Sequence, residues 1–271
     1  MPDVILRPLT SSPREGVTIL AVLRQTWGRL VHKQWLILYP LALGIINLLA
    51  FLAVYAAAGE RISWSPFFKA GFDRWQFVYD RLLADFSLDS TLAVALAVGL
   101  GLCVLTAMIR APFFRAIAGP GYPVAPRHGS EAAWLTSIYL FTNLVLWVLP
   151  FAGAGHVIMG QFIAFVTLVV AILLAFADYV VVFEQVGFVK ALRRSVLLVG
   201  QRWAAVVVVF IVLQLVYFGL HELYRYFYDT ADGVLIALPI IQIILDAFVV
   251  LLFDLVLIFL YEHIRHGAHR S

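Results

Sequence analysis

The chain has 271 residues, 63% of them hydrophobic and 13% charged, with a formal net charge of +3 at pH 7 and a mean hydropathy of +0.96. A soluble domain carries about half apolar and a quarter charged residues, so a water-soluble globule is excluded and a bilayer is the expected solvent. The excess of 19 Lys and Arg over 16 Asp and Glu reads as a topology signal and not as a nucleic-acid surface, and the single cysteine, Cys103, excludes an intrachain disulfide or a cysteine-built metal site.

Taken in chain order, residues 1–34 are expected to be a cytoplasmic N-terminus. Within it Ile19, Leu20, Leu23, Trp27, Leu30 and Val31 share one helical face, while Arg24, Gln25, Arg29, His32 and Lys33 gather on the other. That pattern predicts an elbow helix over 17–35 lying in the membrane interface. A transmembrane domain over 35–262 follows. Crossing the hydrocarbon core takes about 20 mainly apolar residues, and six stretches qualify: 35–58, 91–109, 132–152, 157–183, 204–220 and 234–261. The first resembles a signal sequence at Tyr55–Gly59, but it is too long and begins too far into the chain for a cleaved one. Backbone groups in lipid must bond within their own segment, and the alternation of barrel strands is absent, so the fold class is an all-α polytopic transmembrane helical bundle of about six spans.

The segments between the spans carry signals of their own. In the outer loop 59–90, Phe68, Phe72, Trp75, Tyr79, Leu82, Leu83 and Phe86 oppose Lys69, Asp73, Gln76 and Asp80, predicting an amphipathic helix. Gly119 to Ser130 opens on Gly119-Pro120-Gly121 and reads as a loop. A cytoplasmic helix is predicted over 184–203, with Phe188, Val189, Leu192, Val196, Val199 and Trp203 on its apolar face and Lys190, Arg193, Arg194 and Gln201 opposite. Residues 263–271 form a cytoplasmic tail. Trp35, Tyr39, Trp134, Trp203, Tyr217 and Tyr261 fall near span ends, where aromatic rings anchor the interface.

Orientation follows from the basic residues. One alternating set of segments holds five (Arg7, Arg14, Arg24, Arg29, Lys33), then three (Arg110, Arg115, Arg127), four (Lys190, Arg193, Arg194, Arg202) and two (Arg265, Arg270), fourteen of the nineteen; the opposite set holds Arg61, Lys69, Arg74, Arg81 and Arg225. Both termini are therefore expected in the cytoplasm, and the expected location is the inner membrane of a bacterium. Adding or removing one span would scramble the alternation.

Three acids lie inside predicted spans: Asp178 in the fourth, and Asp246 and Asp254 in the sixth. Charge at membrane depth costs about 2.5–3.5 kcal/mol on insertion scales and is usually turned toward the bundle interior. At about 100° per residue, Asp246 lies within about 40° of Gln242, with Asp254 about 80° further round and about 12 Å along. Asn47, Asn143, Gln161 and Gln214 on other spans could face this polar side. Two readings follow: a proton, cation or substrate path centred on Asp246, or carboxyls that fix helix packing. Asp178 and Asp254 stand nearer the cytoplasmic arginines, so Asp246 is the strongest path candidate. Lys190, Arg193 and Arg194 could bind anionic lipid headgroups, or do no more than set topology.

Enzyme signatures are missing. His221-Glu222 begins like a zincin helix, yet the residue four on from His221 is Arg225. A Gly-rich phosphate loop, a nucleophile elbow and an intramembrane Gly-x-Gly-Asp are absent too. His263, His266 and His269 recur every three residues and read as juxtamembrane polar residues, so no metal, cofactor or catalytic residue is expected.

The stretch from Phe183 to Trp203, with Glu184, Ala191-Leu192, Arg194-Ser195 and Leu198, resembles a pattern in a broad group of uncharacterised bacterial six-span proteins. That group includes the membrane domain fused to some glycerophosphoryl diester phosphodiesterases. The resemblance covers about a tenth of the chain and implies a fold, not a reaction, since the phosphodiesterase domain is not in this sequence. A looser similarity is to the permease subunits of ABC transporters, which implies an ATPase partner. The expected function is transport or permease-type and non-enzymatic; the other class is an accessory or scaffold subunit of a larger membrane complex. Expected partners are membrane lipids and either an ATPase or other complex subunits.

Overall fold

The computed structural model describes residues 33–57, 90–118, 129–152, 157–230 and 237–268. The predicted elbow helix before Lys33, the outer amphipathic loop helix and most of the Gly119–Ser130 loop fall outside these residues. A 3-10 turn, Gln34–Ile37, leads into α1 (Leu38–Ala57), followed by α2 (Ser90–Ala118), α3 (Glu131–Ala152), α4 (Val157–Leu173), α5 (Ala177–Glu184), α6 (Phe188–Gln201), α7 (Trp203–Thr230) and α8 (Ala237–Ala268). The described residues are all-helical, without a strand.

Among the described residues five helical segments are long and apolar enough to cross a membrane: Gln34–Val54, Leu96–Ala118, Gly160–Glu184, Trp203–Phe227 and Ile240–Arg265. The remaining predicted stretch, 132–152, is helical as α3, but most side chains of its second half lie outside the described set. Outward faces are apolar. Leu96, Leu100 and Met108 on α2, Phe162 and Phe165 on α4, and Ile211, Leu215 and Phe218 on α7 are exposed, an arrangement that water penalises and hydrocarbon does not.

The core gathers around the short α5. Val180, Val181 and Val182 are fully enclosed, and Phe114 and Ile117 of α2, Leu135 of α3, Ala191 and Leu198 of α6, and Leu255, Ile258 and Tyr261 of α8 complete the cluster. α1 packs along α2 and α8. Its approach to α8 is close enough that a Cβ on Gly44 would stand 2.9 Å from Ile243 Cγ2, the small-residue contact common between membrane helices.

Several boundaries differ from the sequence reading. The stretch 157–183 is two helices, because the chain turns at 174–176 between α4 and α5. No Pro or Gly stands there; the break is made by Ser195 of α6. Its hydroxyl accepts the Phe176 N–H at 3.1 Å and donates to the Leu173 carbonyl at 2.8 Å, replacing the ladder bonds that an unbroken helix would close. α2 continues through Pro112 to Ala118, past the predicted span end at 109, so Arg110 and Arg115 of the expected cytoplasmic segment lie within the helix. α7 runs ten residues past the predicted end at 220, and α8 carries helix to Ala268 where a tail was expected.

Helix α6 is present inside the predicted 184–203. Ala191, Ser195, Leu198 and Val199 point inward, and Val189 and Val196 of the predicted apolar face are exposed. Tyr261, expected as an interfacial anchor, is fully buried, while Trp35 and Trp203 are exposed.

Candidate functional site

The intramembrane acids separate into two environments. Asp254 of α8 and Asp178 in the first turn of α5 both lie beside Arg110 of α2. Arg110 Nη2 donates to Asp254 Oδ1 at 2.5 Å and stands 3.8 Å from Asp178 Oδ2. Tyr179 donates its hydroxyl to the same Asp254 oxygen at 2.7 Å, and Tyr139 of α3 reaches Asp178 Oδ2 at 3.4 Å. The guanidinium lies over aromatics, its Cζ 4.9 Å from the Phe114 ring centroid and 5.9 Å from that of Tyr139. Four helices are joined by this cluster. Removing water from three charges is offset only by such dense pairing, and the arrangement corresponds to the packing reading of Asp178 and Asp254.

A second polar layer lies one to two turns along α5. Arg115 Nη2 donates to both carboxylate oxygens of Glu131, which stands in the first turn of α3, where the helix dipole favours an anion. Gln185 closes α5 in a left-handed conformation at φ 54°. Side-chain bonds hold it there: its amide donates to Glu131 and, at 2.7 Å, to the Val182 carbonyl. Glu184 accepts the Tyr261 hydroxyl at 3.0 Å and stands 3.4 Å from Arg194 Nε and 4.0 Å from Arg265 Nε.

Asp246 is different. Its side chain is buried on α8, and Oδ1 accepts the hydroxyl of Tyr224 of α7 at 3.1 Å. Gln242, one turn away and 1% exposed, faces the same carboxyl but makes no hydrogen bond of good geometry through either its oxygen or its nitrogen. Among the described residues Asp246 has no Lys, Arg or His partner. A carboxyl and an amide thus meet in the apolar interior with one phenol between them.

The other expected residues do not join this place. Asn143 donates to Cys103 Sγ at 3.2 Å, tying α3 to α2. Gln161 and Gln214 are exposed, and Asn47 is half-buried on α1. Asp254, expected on the same polar side as Asp246, is committed to Arg110 and Tyr179. Of the three basic candidates on α6, Lys190 and Arg193 are exposed while Arg194 pairs with Glu184. His263 is exposed, and among the described residues no three His, Cys, Asp or Glu side chains come together as a metal site would need.

Sequence reasoning missed Arg110, Glu131, Glu184, Tyr179 and Tyr224 as members of these clusters. Tyr224 lies beyond the predicted end of its span, and Arg110 lies just past the predicted end at 109, in the segment expected to be cytoplasmic. Of the residues that carry the sequence resemblance, Glu184 and Arg194 pair between α5 and α6, Ser195 bonds across the break between α4 and α5, and Ala191 and Leu198 are buried on α6. No family model, curated protein or solved structure matches the chain.

Proposed function

We propose that the chain is a non-enzymatic, six-span protein of a bacterial inner membrane, with both termini cytoplasmic, and that it is of transport or permease type with its polar site at Asp246, Gln242 and Tyr224. The observation that carries this reading is the isolation of Asp246. Every other buried acid among the described residues has an arginine partner, so packing accounts for them. A carboxyl kept at membrane depth without one is costly for the fold and marks an ion or substrate pathway. The helix break beside α5 fits the same reading, since interrupted helices in membranes occur where protein or a cavity encloses them.

Reconstitution into proteoliposomes tests the proposal. With gradients of protons, sodium, potassium or amphiphilic tracers imposed in turn, wild-type protein should raise at least one flux above that of protein-free vesicles. Asp246→Asn should lower that flux about tenfold or more, the loss of at least one charge-assisted contact. Fluxes equal to protein-free vesicles throughout would reject transport.

The second reading is an accessory or scaffold subunit. α7 is the least buried of the five candidate spans and is apolar over most of its length, a surface open to a neighbouring subunit as well as to lipid. Gentle extraction followed by mass spectrometry tests it: stoichiometric recovery with further subunits, without solute dependence, supports the scaffold, whereas a copurifying ATPase supports the permease. Lys190 and Arg193, exposed beside Val189, Val196 and Leu197, suit contact with anionic lipid at the membrane surface.

A further inference from the structure

We infer that Asp246, Gln242 and Tyr224 form a binding site for one monovalent metal cation, of which sodium is the type. The inference deepens the transport reading by naming the ligand class, and it rests on that reading for the choice of Asp246 as the functional acid.

Charge supplies the first argument. Arg110 serves both Asp254 and Asp178, and Arg115 serves Glu131. Asp246, in the same helix as Asp254 and two turns away, is given only a phenol. A buried carboxylate in that position requires a positive charge, and among the described residues the chain supplies none.

The donor set supplies the second argument. Three side chains from two helices come together: the Asp246 carboxylate and the Gln242 amide one turn apart on α8, and the Tyr224 phenol from α7. Hard cations of low charge take such carboxylate, carbonyl and hydroxyl oxygens. Gln242 is the independent sign of a ligand. Its side chain is 99% enclosed with both polar atoms unpaired, where a buried amide without partners is costly. Protonation of Asp246 would cancel the charge and leave the amide in its present geometry unpaired. A cation answers the charge and the amide oxygen, and leaves the amide nitrogen turned toward the Asp246 carboxylate.

Surroundings suit a small ion. Ile243 and Ala247 beside the site are buried and apolar, and α1 closes over α8 at Gly44. The titratable groups that α7 turns toward Asp246 are Tyr217 and Tyr224. Arg110 of α2 is engaged two turns away. α1 brings no charged residue to the contact.

The test uses the full chain in nanodiscs at pH 8, with thermal unfolding followed in sodium, lithium, potassium or N-methylglucamine chloride at equal ionic strength. A saturable rise in Tm with at least one of the metal cations over N-methylglucamine is expected, absent in Asp246→Asn and needing about tenfold more cation in Gln242→Leu, the loss of one ligand. If Asp246→Asn is not recovered folded, Gln242→Leu and Tyr224→Phe decide alone. Equal Tm in all four salts overturns the proposal, as does a shift that survives the substitutions or stability that follows pH with no preference among cations. Loss of flux in Asp246→Asn without cation-dependent stabilisation leaves transport standing and rejects the cation site. Cation binding with no flux does the reverse.

Discussion

Arg110 illustrates how one side chain can decide the fate of its neighbours. It is the cation for two buried acids, 2.5 Å from Asp254 and 3.8 Å from Asp178. Removing one partner of a buried pair leaves the other charge uncompensated, at a cost of about 3–5 kcal/mol. Arg110→Met should therefore lower the unfolding midpoint sharply, and adding Asp254→Asn should recover part of the loss, because the orphaned charge goes with it. A smaller effect is expected at Ser195. Its hydroxyl is fully buried and bonded on both sides of the break, so Ser195→Ala orphans the Phe176 N–H and should cost about 1–3 kcal/mol. Amide exchange checks this: Phe176 should exchange faster in the variant, ahead of the α4 interior.

At the scale of elements, α6 carries opposite properties on its two sides. Ala191, Ser195 and Leu198 are enclosed, and Arg194 holds Glu184, whereas Lys190 and Arg193 stand free of the core. Reversing both exposed charges, Lys190→Glu with Arg193→Glu, should change stability by no more than about 0.5 kcal/mol. Arg194→Glu should cost clearly more by placing two carboxylates together at the end of α5. Thermal unfolding of the two variants side by side distinguishes these faces. The contact of α1 with α8 gives a packing test. Gly44→Ala places a methyl 2.9 Å from the branched Ile243, and overpacking of this kind costs about 1–3 kcal/mol. Ile243→Ala in the same chain should return part of it by opening the space that the methyl needs.

At the scale of the whole molecule, an acid-and-arginine frame surrounds α5, and the sites facing outward are almost wholly apolar. The frame joins α2, α3, α5, α6 and α8 by charge, while α7 is joined to α8 at the polar site by the single Tyr224–Asp246 bond. The six crossings proposed above would place the two ends of the chain on one side. Cysteines introduced singly at the N- and C-termini, with Cys103 replaced by Ala, should react with an impermeant thiol reagent only from the cytoplasmic face. Labelling of the two from opposite faces would require an odd number of crossings.

Much of this was legible from composition and pattern. Apolar runs near 20 residues dictate helices, because backbone groups in hydrocarbon can be satisfied only within their own segment, and α1, α2, α7 and α8 lie where those runs stand. Acids inside such runs had to face inward, and Asp246, Asp254 and Asp178 do so. What the linear pattern could not contain was pairing between distant segments. The break at 174–176 has no helix breaker of its own and depends on Ser195 about twenty residues later. Arg110 reads as a cytoplasmic topology charge until α2 is seen to continue and meet α8, 144 positions along the chain. The same tertiary fact separates three acids that look alike in sequence: two share an arginine, and Asp246 has only a phenol. Hydropathy counts each residue against the solvent, whereas a buried charge is decided by which partner the fold brings within a few ångströms.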